Sequence, residues 1–252
     1  MVRIKTKEEI ELIRESSRIV AEVLKLVGSM IRPGVTTIEL DRVAEEYIRS
    51  HGGEPAFKGY GPKQNPFPAT LCTSVDAEVV HGIPSKRTLR DGEILSVDVG
   101  VKKNKFFGDG AWSFAVGEIS QDKRKLMQVT EKSLSIGVAQ AVVGNKVHDI
   151  SHAIQVFVEQ NGFSVVRELV GHGVGEALHE EPNVPNFGKA GTGIKLQNGM
   201  TLAIEPMVNQ GAFAVNVLRD GWTVVAADGL PSAHFEHTIA IVDGTAEILT
   251  KG

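Results

Sequence analysis

Apolar and polar residues alternate through the middle of the chain in a way that is typical of a β-hairpin. Residues 94–114 predict two strands joined by a polar turn at residues 102–105. One face of the first strand carries only aliphatic side chains: Leu95, Val97, Val99 and Val101. Asp98 lies on the opposite face, and Asp109 follows eleven residues later on the returning strand.

The hairpin can bring Asp98 and Asp109 side by side. Two ionised carboxylates about 4 Å apart repel by roughly 4 kcal/mol at an effective dielectric constant near 20. A bound cation would remove this repulsion. From the hairpin alone, the alternative is that one aspartate faces water and the other caps a turn, so further ligands must be sought elsewhere in the chain.

Apolar residues at helical spacing predict two pairs of helices. The first pair begins at the capping box Thr6–Glu9 and near Thr36. The second pair covers about residues 123–142 and then a helix closed by Asn161-Gly162. Short strands are predicted between and after the helices: residues 71–75, 79–80, 200–204, 222–226 and 238–242.

An internal repeat relates the two helix pairs. A shift of 110 residues superimposes similar positions: Leu40 on Ile150, Ala44 on Ile154, Tyr47 on Phe157, Ile48 on Val158 and Gly52 on Gly162. The repeat predicts an α/β (α+β) fold of two similar halves, each a helix pair followed by strands, enclosing a cleft. Because no flexible linker separates the halves, we expect residues 1–252 to form a single domain.

Composition excludes several classes of protein. Of the 252 residues, 42% are hydrophobic and 23% charged, and the net charge of −4 indicates no basic surface for nucleic acid or membrane. Cys72 is the only cysteine, which excludes an internal disulfide and a cysteine-rich zinc site. No apolar run follows Arg3 and Lys5, and none approaches 18 residues, so we expect neither a signal peptide nor a membrane span. These features predict a soluble, cytoplasmic protein.

Three further residues of the metal-ligand type stand between glycines or next to apolar strands. His172 is flanked by glycines, Glu205 follows a strand, and Glu236 begins the last apolar strand. Taken singly, each has an ordinary interpretation. The glycines beside His172 allow either tight backbone approach or a mobile loop, and a glutamate at a strand end can be a surface acid. Together with Asp98 and Asp109 they provide four carboxylates and one imidazole, whose charge of −4 two divalent cations would balance. Such a set suits Mn, Fe, Co or Zn.

Other catalytic motifs are not found in the sequence. The stretch beginning at His179 departs from the zinc-protease pattern H-E-x-x-H because Asn183 stands at its last position. The glycines around His172 do not complete a dinucleotide-binding fingerprint, and the sequence has no G-x-S-x-G elbow. We expect Cys72 to be a small buried apolar residue rather than a nucleophile.

The five candidate ligands are spaced by 11, 63, 33 and 31 residues: Asp98, Asp109, His172, Glu205 and Glu236. This spacing resembles that of the methionine aminopeptidases, and so do the stretches around it: VHGIP at 80–84, SVDVG at 96–100, GHGVG at 171–175, IEPM at 204–207 and FEHT at 235–238. The resemblance covers nearly the whole chain and is to the type I enzymes, because the last two ligands are too close for a type II insertion. With no N-terminal zinc-finger extension, the chain resembles their short bacterial form. It implies the pita-bread fold, in which two pseudo-symmetric α/β halves surround a dinuclear metal site.

The resemblance also implies a role for each ligand. Asp109 and Glu236 would bridge two divalent ions, of Co, Mn, Fe or Zn. Asp98 would complete one site, and His172 with Glu205 the other. Glu205 would also take a proton from a metal-bridging water and pass it toward the leaving amine.

Further residues are implied in substrate binding. His179 would hydrogen-bond to the scissile carbonyl, and His81 would contact the scissile amide nitrogen or the developing amine. Four residues would form the walls of a methionine pocket: Tyr60, Phe67, Cys72 and Trp222. Leu178 stands where many bacterial relatives have an aromatic residue, and the loop Gly61–Pro68 looks longer than in many relatives. His234 receives no role.

The activity that this resemblance implies is the metal-dependent removal of the N-terminal methionine from peptides and nascent proteins whose second residue is small. The enzyme would act as a monomer, with the ribosome as a candidate partner. Two alternatives stay open. One is an X-Pro aminopeptidase or prolidase-like enzyme, which usually carries a large additional N-terminal domain. The other is a non-catalytic pita-bread module for protein binding, which typically lacks metal ligands.

Overall fold

Helices and strands follow one another in two blocks along residues 2–251, which the computed structural model describes. The four helices of this part of the chain are α1 (Lys7–Met30), α2 (Thr37–Ser50), α3 (Gln121–Gln140) and α4 (Val147–Gln160). The first helix pair precedes five strands: β1 (Glu54–Pro55), β2 (Leu71–Val75), β3 (Glu78–Val80), β4 (Ile94–Lys103) and β5 (Phe106–Ala115). The second pair precedes ten strands: β6 (Ser164–Val165), β7 (Val170–Gly173), β8 (Glu180–Pro185), β9 (Thr201–Ile204), β10 (Met207–Asn209), β11 (Val215–Val217), β12 (Val224–Ala226), β13 (Ser232–His234), β14 (His237–Val242) and β15 (Thr245–Ile248).

Helix starts follow their capping residues. At the start of α1, Thr6 accepts a hydrogen bond from the N–H of Glu9, and the Glu9 carboxylate accepts one from the N–H of Thr6, as the predicted capping box requires. Helix α3 begins two residues before the predicted position because Ser120 is its N-cap and accepts from the N–H of Lys123. Within residues 2–251, no helix combines the length and apolarity that crossing a membrane requires.

The predicted internal repeat is present in the structure. Helices α2 and α4 each contain 14 residues, and their first residues, Thr37 and Val147, lie 110 positions apart. The equivalent apolar positions are fully buried in both helices: Leu40 and Ile150, Ala44 and Ile154, Ile48 and Val158. Each helix pair therefore packs against its own core, and the α/β fold of two similar halves is confirmed.

Two larger sheets carry the long strands. In the first, β4 pairs with β5 along one edge and with β2 and β1 along the other. In the second, the strand order is β15-β14-β9-β7-β8. Two three-stranded sheets have the orders β13-β10-β6 and β11-β12-β3. Because β3 comes from the first half and β12 from the second, the last of these sheets joins the two halves.

The turn of the β4–β5 hairpin is shorter than predicted. Strand β4 continues to Lys103 and β5 begins at Phe106, which leaves Asn104 and Lys105 as a two-residue turn. Both turn residues have positive φ, 50° and 73°, the conformation that suits the right-handed twist of a tight hairpin. The predicted assignment of Lys102 and Lys103 to the turn is therefore wrong, because both lysines extend the ladder.

Candidate active site

The register of the β4–β5 hairpin places Asp98 and Asp109 on one face. Asp109 lies opposite Gly100, and Asp98 lies opposite Ala111. Because side chains alternate along a strand, Asp98 and Gly100 share a face, and a residue opposite Gly100 points to the same side. The two carboxylates are therefore diagonal neighbours, as the sequence predicts.

Glycines flank Asp109 because helix α1 crosses close behind β5. A Cβ on Gly108 would lie 2.6 Å from the backbone nitrogen of Ser17, and one on Gly110 would lie 2.9 Å from the side chain of Val20. Both distances are shorter than real Cβ contacts, so larger residues would push the helix away. The glycines let the core close on one face of the strand while Asp109 faces the other.

The second sheet contributes the other three candidate ligands from neighbouring strands. His172 lies on β7, Glu205 directly follows β9, and Glu236 directly precedes β14. Strand β9 lies between β7 and β14, with Ala203 opposite His172 and Ile204 opposite His237. The three side chains therefore meet at one end of three paired strands.

The glycines around His172 serve close packing within a strand, not a mobile loop. A Cβ on Gly171 would lie 2.4 Å from the carbonyl oxygen of Ala203, and one on Gly173 would lie 2.4 Å from that of Glu181. Of the two interpretations offered by the sequence, tight backbone approach is the correct one. It holds His172 against the carboxylates.

Hydrogen bonds join the two sheets beside the ligands. The hydroxyl of Thr238 accepts from the N–H of Asp109 at 3.0 Å and donates to the carbonyl of the same residue at 2.8 Å. The N–H of Glu236 donates to the carbonyl of Ala111 at 2.8 Å. Candidate ligands of the first half are thus attached directly to the sheet that carries those of the second.

The distances between ligand atoms fit a divalent cation. Nε2 of His172 lies 3.6 Å from Oε1 of Glu205 and 3.8 Å from Oδ2 of Asp109. These distances are too long for hydrogen bonds. Two ligand atoms that are each about 2.1 Å from one ion, however, lie roughly 3–4 Å apart. One ligand atom from each of Asp109, His172 and Glu236 also lies within 4.8 Å of the other two.

The hydrogen-bond pattern selects the same atoms. Oδ1 of Asp98 and Oε1 of Glu236 are buried and have no hydrogen-bond partner within residues 2–251. Nδ1 of His172 lies 2.9 Å from the carbonyl oxygen of Gly173, and because a carbonyl only accepts, Nδ1 carries the hydrogen. The lone pair of this neutral imidazole is then on Nε2, which faces the carboxylates. Since buried polar atoms normally have partners, these atoms fit metal ligation.

Burial disfavours the charged forms of these side chains. It raises the pKa of Asp98 to about 7 and the pKa of Glu205 to about 8. The pKa values of Asp109 and Glu236 also lie well above their usual range, first because of burial and then because of the neighbouring carboxylates. Burial lowers the pKa of His172 to about 3, so its imidazole is neutral, as ligation requires. A divalent cation would favour ionisation of the carboxylates.

A cavity of about 260 Å³ lies beside the ligands. All eleven site residues that were predicted from the sequence line it: Tyr60, Phe67, Cys72, His81, Asp98, Asp109, His172, His179, Glu205, Trp222 and Glu236. Phe57 and Leu178 extend its apolar part, and Phe67 packs edge-to-face on Trp222 with ring centroids 5.2 Å apart. Burial raises the pKa of Cys72, which therefore stays a thiol and suits an apolar wall.

Two histidines face this cavity from opposite halves. The ring of His179 packs edge-on against that of His172, with centroids 4.2 Å apart, and the hydroxyl of Tyr60 lies 2.5 Å from Nδ1 of His179. His81 has a φ of 59°, a left-handed conformation that is costly for a residue with a Cβ. Burial lowers the pKa of His81 to about 4, so its imidazole is neutral near pH 7. Strain at a residue that lines the cavity is typical of a functional position.

His234, which the sequence left without a role, lies close to the ligands. It is 1% exposed, and its Nε2 lies 3.6 Å from Oε2 of Glu205 without a hydrogen-bond partner within residues 2–251. Its backbone is held by Ser113, whose hydroxyl accepts from the N–H and donates to the carbonyl of His234. The only signal in the sequence is its place two residues before the candidate ligand Glu236.

Comparison with known proteins identifies the family. The chain matches the model of metallopeptidase family M24 over residues 11–243. It is 53% identical to a methionine aminopeptidase from Clostridium perfringens over 251 residues, which cover 99% of each chain. The solved structure of methionine aminopeptidase from Thermotoga maritima matches with a TM-score of 0.97 at 45% identity over the full length of both chains. Prolidase from Pyrococcus furiosus has a TM-score of 0.80 at 22% identity, with 99% of this chain and 65% of that chain covered, and shares the pita-bread fold alone. The chain therefore belongs to metallopeptidase family M24 and, within it, to the methionine aminopeptidases.

Proposed function

We propose that this chain removes the N-terminal methionine from peptides and nascent proteins whose second residue is small. The observation that carries the proposal is the presence, in one cavity, of five metal-ligand side chains and an apolar pocket. The family supports the same activity, because a relative that matches the chain over nearly its full length is a methionine aminopeptidase.

The five ligands are proposed to hold two divalent cations, of Co, Mn, Fe or Zn. Asp109 and Glu236 would help to hold both ions, Asp98 would complete one site, and His172 with Glu205 would complete the other. The 3.6 Å between Nε2 of His172 and Oε1 of Glu205 supports their pairing on one ion. When bound, the ions lower the pKa of a coordinated water and polarise the scissile carbonyl.

Three side chains of the protein handle protons and charge. Glu205 would accept the proton of the attacking water and pass it toward the leaving amine, and its place among the candidate ligands, 3.6 Å from Nε2 of His172, supports this role. His179 donates to the carbonyl oxygen as negative charge develops on it. His81, which is neutral near pH 7, contacts the nitrogen of the scissile amide.

The apolar part of the cavity is proposed to bind the methionine side chain. Tyr60, Phe67 and Trp222 offer aromatic edges, and sulfur–aromatic contacts are worth about 0.3–1.5 kcal/mol each. Leu178 and Cys72 complete a wall without charge. A cleft enclosed by two halves leaves little room beyond the scissile bond, which favours a small second residue.

A peptide panel tests the proposal directly. Mass spectrometry after incubation with the Mn-loaded or Co-loaded protein should show rapid cleavage of Met-Ala, Met-Gly and Met-Ser peptides. Met-Val peptides should react more slowly, and Met-Lys and Met-Phe peptides hardly at all. Acetylation of the N-terminal amine should prevent cleavage, because an exopeptidase binds the free amine near the metals. Efficient release of leucine from Leu-Ala peptides would contradict the proposal.

The same panel separates the two alternatives. An X-Pro peptidase would prefer proline at the second position whatever the first residue, and its likeness to this chain is at present one of fold only. A non-catalytic module would leave every peptide intact. Such a module would have no need of the buried oxygens of Asp98 and Glu236 that lack hydrogen-bond partners within residues 2–251, and these oxygens favour a metal-loaded enzyme.

A further inference from the structure

Tyr60 contributes more to the cavity than an aromatic wall. Its hydroxyl lies 2.5 Å from Nδ1 of His179, a residue 119 positions away in the chain. The two rings meet at 65° with centroids 5.1 Å apart, so the phenol approaches the edge of the imidazole where Nδ1 lies. This contact joins a loop of the first half to the His179 of the second half.

The loop that carries Tyr60 is braced on both sides. The N–H of Tyr60 donates to the carbonyl of Phe57 at 2.9 Å, and the carbonyl of Tyr60 accepts from the N–H of Phe67 at 2.8 Å. Farther along, the indole N–H of Trp222 donates to the carbonyl of Asn65 at 3.1 Å. Gly61 allows the close approach of this loop, because a Cβ there would lie 2.5 Å from the Trp222 ring. The phenol is therefore held in place and does not depend on a free loop tip.

We infer that Tyr60 is a positioning residue, which donates its hydroxyl hydrogen to Nδ1 of His179 and thereby places the imidazole hydrogen on Nε2. In a neutral imidazole one nitrogen donates and the other accepts. A phenol hydroxyl can donate or accept, but its O–H is a far stronger acid than the N–H of a neutral imidazole, so the hydroxyl is the favoured donor. Nδ1 is then the acceptor, and the imidazole hydrogen lies on Nε2. The opposite tautomer would present a lone pair on Nε2 and could not donate to a developing oxyanion from that atom.

The inference rests on the proposed role of His179, so its first test does not depend on turnover. The ring-nitrogen NMR spectrum of the zinc-loaded, ¹⁵N-histidine-labelled protein reports the tautomer of each imidazole. The His179 signal is assigned by its absence in His179→Ala. In the wild type we expect hydrogen on Nε2 of His179, and in Tyr60→Phe a mixture of tautomers. Hydrogen on Nδ1 in the wild type, or an unchanged Nε2–H tautomer in Tyr60→Phe, would overturn the inference.

Kinetics supply the second test, if the wild type cleaves Met-Ala peptides. Tyr60→Phe keeps the aromatic wall and should leave KM nearly unchanged, while kcat falls roughly 3- to 10-fold, the effect of one lost hydrogen bond. His179→Ala should lower kcat by about 10²–10³-fold, and adding Tyr60→Phe to it should lower kcat no further. Equal effects of Tyr60→Phe in both backgrounds would show that Tyr60 acts independently of His179 and would also overturn the inference.

The chain offers a matched control for the loss of a hydroxyl. Its only other tyrosine, Tyr47, lies on α2 and bonds to the carboxylate of Glu22 at 3.2 Å. Tyr47→Phe should leave both kcat and the His179 tautomer unchanged. Failure of all peptides in the panel would count against the proposed function, whereas the NMR result alone decides the role of Tyr60.

Discussion

The two halves of the molecule share their helices but not their chemistry. Helices α2 and α4 have equal lengths and equivalent buried positions. The candidate ligands break this symmetry, because the first half supplies two aspartates from the face of one hairpin. The second half supplies a histidine and two glutamates from the ends of three strands. The repeat thus accounts for the scaffold, while the ligand set depends on side chains that the two halves do not share.

The largest expected effect comes from replacing Asp109, which is proposed to contact both ions. Asp109→Asn should weaken both ion sites and lower kcat by more than about 100-fold, because loss of even an outer partner of a metal ligand costs 10–100-fold. Asp98→Asn should weaken one site only. Calorimetric titration of the metal-free protein with Mn²⁺, after removal of the chelator, counts the sites in each variant. Asp122→Asn, an exposed acid at the start of α3, is the matched control, and two unchanged sites in Asp109→Asn would contradict the bridging role.

A smaller effect concerns stability and pH, and it compares a carboxylate from each half. Burial raises the pKa of Asp98 to about 7 and of Glu205 to about 8, above their values in the unfolded chain. At a pH between the ordinary pKa of a carboxyl group, about 4, and these raised values, the unfolded chain binds fewer protons than the folded one. The metal-free protein therefore loses stability as pH rises toward 8. Buried histidines with lowered pKa values act in the opposite sense, but only below about pH 6.5, the ordinary pKa of histidine.

The measurement is the melting temperature of the metal-free protein, kept in the presence of a chelator, between pH 6.5 and 8.5. We expect a fall with rising pH, and we expect Mn²⁺ to abolish it because ligation requires ionised carboxylates. Asp98→Asn and Glu205→Gln should each reduce the fall in the metal-free protein. A melting temperature that rises with pH in the chelated wild type would show that the buried carboxylates do not control stability.

The smallest expected effect concerns helices α2 and α4, the part of the molecule in which the two halves are alike. Ile48 on α2 and Ile154 on α4 are both fully buried and lie one helical turn apart in the repeat, because Ile154 is equivalent to Ala44. Replacing either by valine should cost about 0.5–1.5 kcal/mol of unfolding free energy and leave kcat unchanged, because neither residue lines the cavity. Urea unfolding of the metal-loaded protein measures the two costs. A change in kcat for one helix alone would show that the halves are coupled to the site differently.

Local patterns predicted the parts of the fold that depend on local periodicity. The hairpin, the four helices and the 110-residue repeat follow from the spacing of apolar residues, and capping residues predicted the start of α1. The residue pattern alone identified the five candidate ligands, and the family resemblance added the two histidines and the pocket walls. The structure brings all of these residues to one cavity. Short strands such as β6 and β13 were not predicted, because two or three residues carry too little periodicity.

Contacts between distant residues lie outside what local patterns can show. Nothing in the sequence near Tyr60 indicates a hydrogen bond to His179, since that bond depends on how the loop is braced against Trp222. The same holds for His234, because its position is determined by the hydrogen bond of its N–H to Ser113 on β5. Its Nε2 has no hydrogen-bond partner among residues 2–251. Even the glycines around His172 were ambiguous until the carbonyl groups of Ala203 and Glu181 were seen beside them.

The double hydrogen bond between Thr238 and Asp109 has a consequence for the synthesis of the protein itself. Asp109 leaves the ribosome more than a hundred residues before Glu236 and Thr238. His172 and Glu205 emerge during that interval, but until Thr238 follows, the chain lacks the residue whose hydroxyl attaches Asp109 to the second sheet. A copy whose synthesis stops before Glu236 therefore lacks a candidate ligand and cannot assemble the proposed metal centre.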